Sequence, residues 1–232
     1  MKRALLFIFL FSAVAVTAQA PRGIYIAAGL NQSSLQSDDL LATSALGWRV
    51  GVNANFGYHE TYNYQFEITL NQSNFNFLTI DAATFEPSGK SKYKMESVEV
   101  GVYFNYYLLK PQEDAFFLGL QAGPMVAFGN SLVPTGGRDT SGELYLPYQL
   151  DKGSFEETLP KMTLNAGIGI TGGYNNIRFD LRYTKGFTNL LSDVETYSYD
   201  ESGQYTGPAL EAKVDVVSLA LSYNLARLFG FR

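Results

Sequence analysis

Histidine occurs once in the 232 residues, at position 59, and cysteine does not occur. Nucleophilic catalysis of the serine–histidine kind needs an imidazole beside an activated hydroxyl. His59 is the sole candidate, and it falls in a short connection, 58–61, between two strand-like runs, so no nucleophile–base pair can be assembled around it. Without cysteine there is neither a disulfide nor a thiolate metal site. No catalytic set, cofactor site or metal site is therefore expected. What remains is ionic: Arg49, Glu67, Glu99, Arg178, Asp180 and Arg182 each sit at an alternate position of an apolar-alternating run. Residues two apart on a strand share a face, so these six are expected to point the same way. Ionisable groups inside a narrow enclosure are costly unless paired, which makes a salt-bridge network that plugs the interior the favoured reading. The other use of such a set is the selectivity lining of a small pore. A second acidic group, Asp193, Glu195, Asp200 and Glu201 among Tyr197, Tyr199 and Tyr205, is read as a solvated loop; holding a divalent cation or facing a basic partner is the alternative.

The elements that position these residues are strands. In 62–71, Tyr62, Tyr64, Phe66, Ile68 and Leu70 alternate with Asn63, Gln65, Glu67, Thr69 and Asn71. In 98–108, Val98, Val100, Val102, Phe104, Tyr106 and Leu108 alternate with Glu99, Gly101, Tyr103, Asn105 and Tyr107. Period-two alternation of this kind is the signature of a half-exposed strand. It recurs near 23–32, 47–57, 62–77, 93–108, 115–129, 161–174, 176–187 and 211–225. The connections alternate in length. They are short at 58–61, 109–114 and 175–176, and long at 33–46, 78–92, 130–160 and 188–210. Short turns on one side and long loops on the other are the plan of an up-and-down outer-membrane barrel. Leu144 to Tyr148 and the Tyr197–Tyr205 stretch read as strand extensions above the membrane. Were the 130–160 hairpin to enter the ring, the count would be ten instead of eight.

Residues 1–18 read as a secretory signal peptide. Lys2 and Arg3 precede an apolar run from Ala4 to Val16, broken by Ser12, and small residues follow. Cleavage after Ala18 is preferred over cleavage after Ala20, because Pro21 would crowd the second site. The run is too short to span a bilayer as a helix. Residues 19–232 then form one domain. Removing Lys2 and Arg3 takes the formal charge from −5 to −7, which argues against nucleic acid as a partner.

Alternation alone does not say which face meets lipid. The polar rows do, because they are small and almost free of charge: Gly51, Asn53, Asn55 and Gly57; Gly119, Gln121, Gly123, Ala127 and Gly129; Thr163, Asn165, Gly167, Gly169, Thr171 and Gly173. A water-exposed face would carry many Lys and Glu, whereas small residues suit the interior of an eight-stranded barrel. The bulky rows then face lipid, over about ten residues per strand. Aromatic residues gather at both ends of these rows. Phe56, Tyr62, Tyr64, Tyr106, Phe116, Tyr174 and Tyr223 mark one end; Trp48, Phe75, Phe77, Tyr93, Phe128 and Phe187 mark the other. Two aromatic girdles are expected of a bilayer-spanning barrel.

Several runs carry a family resemblance: Gly29-Leu30-Asn31-Gln32-Ser33, Gln65-Phe66-Glu67-Ile68, Val98 to Leu108, Phe117 to Pro124, and Asp180 to Asn189. In this order and spacing the chain resembles the PorT family of small porin-family outer-membrane β-barrels. The resemblance implies an all-β, eight-stranded antiparallel up-and-down transmembrane barrel, embedded in outer-membrane lipid. It implies no catalytic residues, and it extends to partners among outer-membrane or secretion-machinery proteins. The last strand closes on Tyr223 or Leu225 with residues 226–232 beyond it, a departure from barrels that end on an aromatic. Two functions are expected to compete: a structural or interaction barrel presenting extracellular loops, with both termini periplasmic, and a small-solute channel.

Overall fold

The computed structural model describes residues 23–37, 40–80, 87–111, 115–135, 144–145, 159–192 and 210–225. The alternating runs become β1 (Gly23–Gln36), β2 (Ala42–His59), β3 (Tyr62–Ile80), β4 (Pro87–Leu109), β5 (Phe116–Pro134), β6 (Leu144–Tyr145), β7 (Met162–Tyr174), β8 (Ile177–Gly186) and β9 (Lys213–Asn224). Eight of them close into one antiparallel ring in the order β2-β1-β9-β8-β7-β5-β4-β3, and the β2–β3 pairing completes it. The seam runs from Tyr25↔Asn224 to Gln36↔Lys213. Closure leaves no unpaired edge around the ring, which is what lets strands stand in a medium that cannot hydrogen-bond them. The two-residue β6 pairs with Thr79 and Ile80 at the tip of β3, outside the ring, so the count is eight and not ten.

One end of the barrel carries tight turns. Residues 60–61 join β2 to β3, and residues 175–176 join Tyr174 to Ile177. Asn175 has φ 57°, a left-handed conformation that asparagine tolerates better than most side chains. His59 stacks on Tyr62 at the rim with ring centroids 4.7 Å apart, and its Nδ1 lies 3.1 Å from the Thr61 hydroxyl, an exposed contact within the turn. The Lys110 ammonium donates to Glu60 at 2.9 Å, tying two turns together. That hydrogen bond and the lysine charge hold the Glu60 carboxyl below the usual carboxylate range.

Gly57, expected on the inward row, is instead exposed, with φ +62° in a register shift between Phe56 and His59 at the turn end. The loop end differs from expectation in three ways. First, the strands are longer. β1 runs to Gln36 and β2 starts at Ala42, while β3 runs to Ile80 and β4 starts at Pro87. The expected loops 33–46 and 78–92 therefore shrink to 37–41 and 81–86. Polar residues such as Ser33, Gln36, Lys90 and Lys92 look loop-like in sequence, yet they continue the ladder above the apolar band. Second, Phe75, Phe77 and Tyr93 do not join the outward girdle. β3 and β4 keep one parity from end to end, so these odd-numbered residues point into the barrel, each 2 % exposed. Third, Gly129 does not share the inner row. With φ +72° it opens a bulge in β5, where Glu96↔Ser131 is followed by Val98↔Phe128. The extra residue turns Gly129 outward and returns Asn130 and Leu132 to the inside.

The outward face is apolar and exposed, including Ile26, Leu30, Val50, Phe66, Leu70, Val102, Leu120, Ile168, Leu181 and Leu219. Phe56, Tyr64, Tyr106, Phe116, Tyr174 and Tyr223 rim it at the turn end, and Trp48, Phe128 and Phe187 rim it at the loop end. The fold is thus inside out relative to a soluble protein.

Candidate functional site in the barrel lumen

The inside of the ring is stratified along its axis. At the turn end Asn105 donates to Asn63 at 2.8 Å, and Tyr107 meets Phe117 edge-on at 5.7 Å. The middle holds the charges. The loop end is an apolar core of Leu40, Phe75, Phe77, Tyr93, Met95, Leu132, Leu159, Leu190, Leu191, Leu210 and Ala212.

All six charged residues singled out in the sequence are buried in the middle layer: Arg49 on β2, Glu67 on β3, Glu99 on β4, and Arg178, Asp180 and Arg182 on β8. Glu67 is the hub. Arg182 Nη1 donates to its Oε1 at 3.0 Å and Arg182 Nη2 to its Oε2 at 3.2 Å, a two-pronged contact. Arg49 donates to the same carboxylate, and Gln65 Nε2 donates to Oε2 at 2.9 Å. In ring order β3 and β8 are four strands apart in either direction, so the Arg182–Glu67 pair spans the bore.

Arg178 forms the second tie. Its Nε and Nη2 reach Asp180 Oδ1 at 2.9 and 2.8 Å, it donates to Asn55 Oδ1 at 3.3 Å, and it reaches Gln65 on the opposite wall. Gln121 links the two halves, accepting from Arg182 at 2.8 Å and donating to Asp180 at 3.0 Å. Arg49 completes its set with Ser218 at 3.0 Å and lies 3.9 Å from Glu99. Charge-assisted, multiply donated contacts of this kind fix side chains that would otherwise be too costly to bury.

Sequence reading set Asn55, Gln65 and Gln121 on polar inward rows without assigning them to the charge cluster, and it did not single out Ser218. Gln65, Gln121, Asn55 and Ser218 all lie on inward positions, so parity with amide or hydroxyl chemistry was the available signal. Tyr103 was missed as well. Its ring lies 3.8 Å from the Arg182 guanidinium carbon, a cation–π contact. Two glycines make room for it. A Cβ on Gly101 would stand 2.7 Å from the Tyr103 ring, and one on Gly167 would stand 2.9 Å from Arg182 Cδ and 3.0 Å from Tyr103.

Between the charged layer and the apolar core lies a cavity of about 30 Å³, lined in part by Asn71, Ser97, Glu99, Thr163, Asn165 and Thr184. It has room for one or two waters. Inside the core itself is a void of about 10 Å³ bounded by Phe75, Phe77, Leu132 and Leu191. Among the described residues no three of His, Cys, Asp or Glu come together to hold a metal ion. The acidic set Asp193, Glu195, Asp200 and Glu201 lies outside the described residues.

A family model described as an outer membrane protein beta-barrel domain matches residues 17–192. No curated protein matches the chain. Solved structures with similarity include Ail, the attachment invasion locus protein of Yersinia pestis, at 15% identity over 87% of this chain and 98% of that one, with a TM-score of 0.42. Neisserial surface protein A is similar at 12% identity over 87% and 97%, TM-score 0.42. The outer membrane protein OprG from Pseudomonas aeruginosa is similar at 11% identity over 88% and 97%, TM-score 0.38.

Proposed function

The chain belongs to the outer membrane protein beta-barrel domain family, and from that premise we propose that it is a closed, non-enzymatic barrel that holds loops at the cell surface for a protein partner. In this reading the loop end is extracellular and the turn end periplasmic, and a signal peptide at residues 1–18 directs export. The PorT resemblance adds a partner class, components of protein secretion.

The observation that carries the reading is the crossing of the lumen by Arg182 and Glu67, below an apolar core at the loop end. A conducting pore needs a wetted path, and eight strands leave an interior that side chains fill. Strand length supports the display role. β3 has 19 residues and β4 has 23, against about ten needed to cross. The surplus is a rigid pedestal under the connections. The competing reading, a small-solute channel, draws on the polar cavity beside Glu99.

Planar-bilayer recording separates the two. The purified full chain is expected to give no steady conductance at moderate voltage. Steady, ion-selective openings that change in an Arg182→Ala protein would establish the channel instead.

A further inference from the structure

Above the apolar band, the outward face of β4 changes character. Lys90, Lys92 and Lys94 occupy three successive outward positions, since Ser91 and Tyr93 turn the other way. Outward residues on one strand stand about 7 Å apart. On the adjacent strand the register sets the amides Asn74 and Asn76 against Lys94 and Lys92 and Gln72 against Glu96, while Lys90 faces Leu78. Gln72 Nε2 donates to Asn74 Oδ1 at 3.1 Å, and Asn74 Nδ2 donates to the Leu46 carbonyl at 2.6 Å, so the amide row is already oriented. Glu96 takes up one ammonium, Lys94 at 2.8 Å. The ion pairs among the described residues leave Lys90 and Lys92 without a carboxylate.

We propose that this face of β3 and β4, with Lys90, Lys92 and Lys94 beside Gln72, Asn74 and Asn76, binds the phosphorylated sugar headgroup of a membrane glycolipid. The patch continues the lipid-facing row of the same strand, Val98 to Leu108, without a break. That row covers roughly 34 Å of strand, which a tilt of about 40° reduces to the height of about 25 Å expected of an apolar band. By the same geometry Lys94 stands about 10 Å above the band edge and Lys90 about 20 Å above it. A compact phosphodiester headgroup extends only about 5–7 Å beyond the hydrocarbon. Lys94 reaches it by snorkelling, whereas Lys92 and Lys90 do not. A lipid that meets all three must carry its phosphates on a tall polar headgroup. Ammonium groups suit phosphate and amides suit sugar hydroxyls.

The proposal rests on the loop end facing the outer leaflet. Its test runs in micelles, where sidedness has no bearing, so a failure here is distinct from a failure of the topology. The folded full chain is titrated with purified core-bearing lipopolysaccharide, with the same material after dephosphorylation, and with phosphatidylglycerol. A triple variant, Lys90→Gln with Lys92→Gln and Lys94→Gln, is expected to lose roughly tenfold or more in affinity for the first probe. A charge-matched triple on the far side of the ring, Lys161→Gln with Lys185→Gln and Lys213→Gln, should stay near wild type. Dephosphorylation should weaken wild-type binding to the level of the first variant, and millimolar inorganic phosphate should not compete. Equal loss in both triples, unchanged binding in the first, phosphatidylglycerol binding as tightly, or competition by free phosphate would each overturn the proposal. Heat-modifiable electrophoretic mobility verifies that each variant is folded.

Discussion

Arg182 touches a carboxylate, an amide and an aromatic ring on three different strands. Truncating it leaves Glu67 with one guanidinium instead of two, in a layer with little water. Breaking a buried pair by removing one partner costs about 3–5 kcal/mol, much of it the penalty on the charge left behind. Arg182→Ala is therefore expected to lower the urea midpoint in micelles strongly, whereas Lys185→Ala, three positions on and exposed, should shift it little. The double variant Arg182→Ala, Glu67→Ala should recover part of the loss, because Arg49, deprived of Glu67, keeps Glu99 at 3.9 Å as its counter-charge. Equal midpoints for Arg182→Ala and Lys185→Ala would show that the crossing pair contributes nothing to stability.

At the scale of the strand, parity decides what a substitution does. β8 alternates Leu181 toward lipid with Arg182 toward the lumen. Leu181→Arg puts a charge near the middle of the apolar band, at a cost of about 2–4 kcal/mol. Its refolding into vesicles should fall well below wild type, and a wild-type yield would mean that the face is misassigned. The upper part of β3 makes the opposite test. Phe75→Ala removes a ring from the loop-end core, where Phe75 and Phe77 lie 6.3 Å apart and Phe77 meets Tyr93 at 5.5 Å. Deleting a buried aromatic side chain typically costs about 3–5 kcal/mol. Phe187→Ala, at an outward and exposed position, should cost far less in the same unfolding assay. Were the two equal, the inward assignment of Phe75 would fail.

For the whole molecule, the proposed orientation predicts a labelling pattern. Single cysteines at Thr135 and Lys161, both exposed at the loop end, should react with a membrane-impermeant thiol reagent on intact cells. One at Glu60, exposed in the first tight turn, should react only after lysis. The native chain has no cysteine to confuse the readout. Labelling of Glu60→Cys on intact cells, with Thr135→Cys protected, would invert the barrel.

Much of this fold is written in the sequence because a barrel wall is only one residue thick. Each position chooses between two media, and the choice repeats every second residue, so the rows from Tyr62 to Leu70 and from Val98 to Leu108 declare their facing without tertiary information. The six lumen charges were legible for the same reason. Tertiary structure decided which of them meet. Glu67 and Arg182 are far apart in the chain and become partners only because ring closure sets β3 opposite β8. It also decided the loop end. Phe75, Phe77 and Tyr93 are aromatic in any reading, and aromatic residues suit a girdle as well as a core. Only the unbroken parity of two long strands, and the apolar residues Leu190, Leu191 and Leu210 brought in from distant connections, turned them inward. A bulge has no marker that alternation can supply, so Gly129 and the rows above it could be placed only once the register with β4 was fixed.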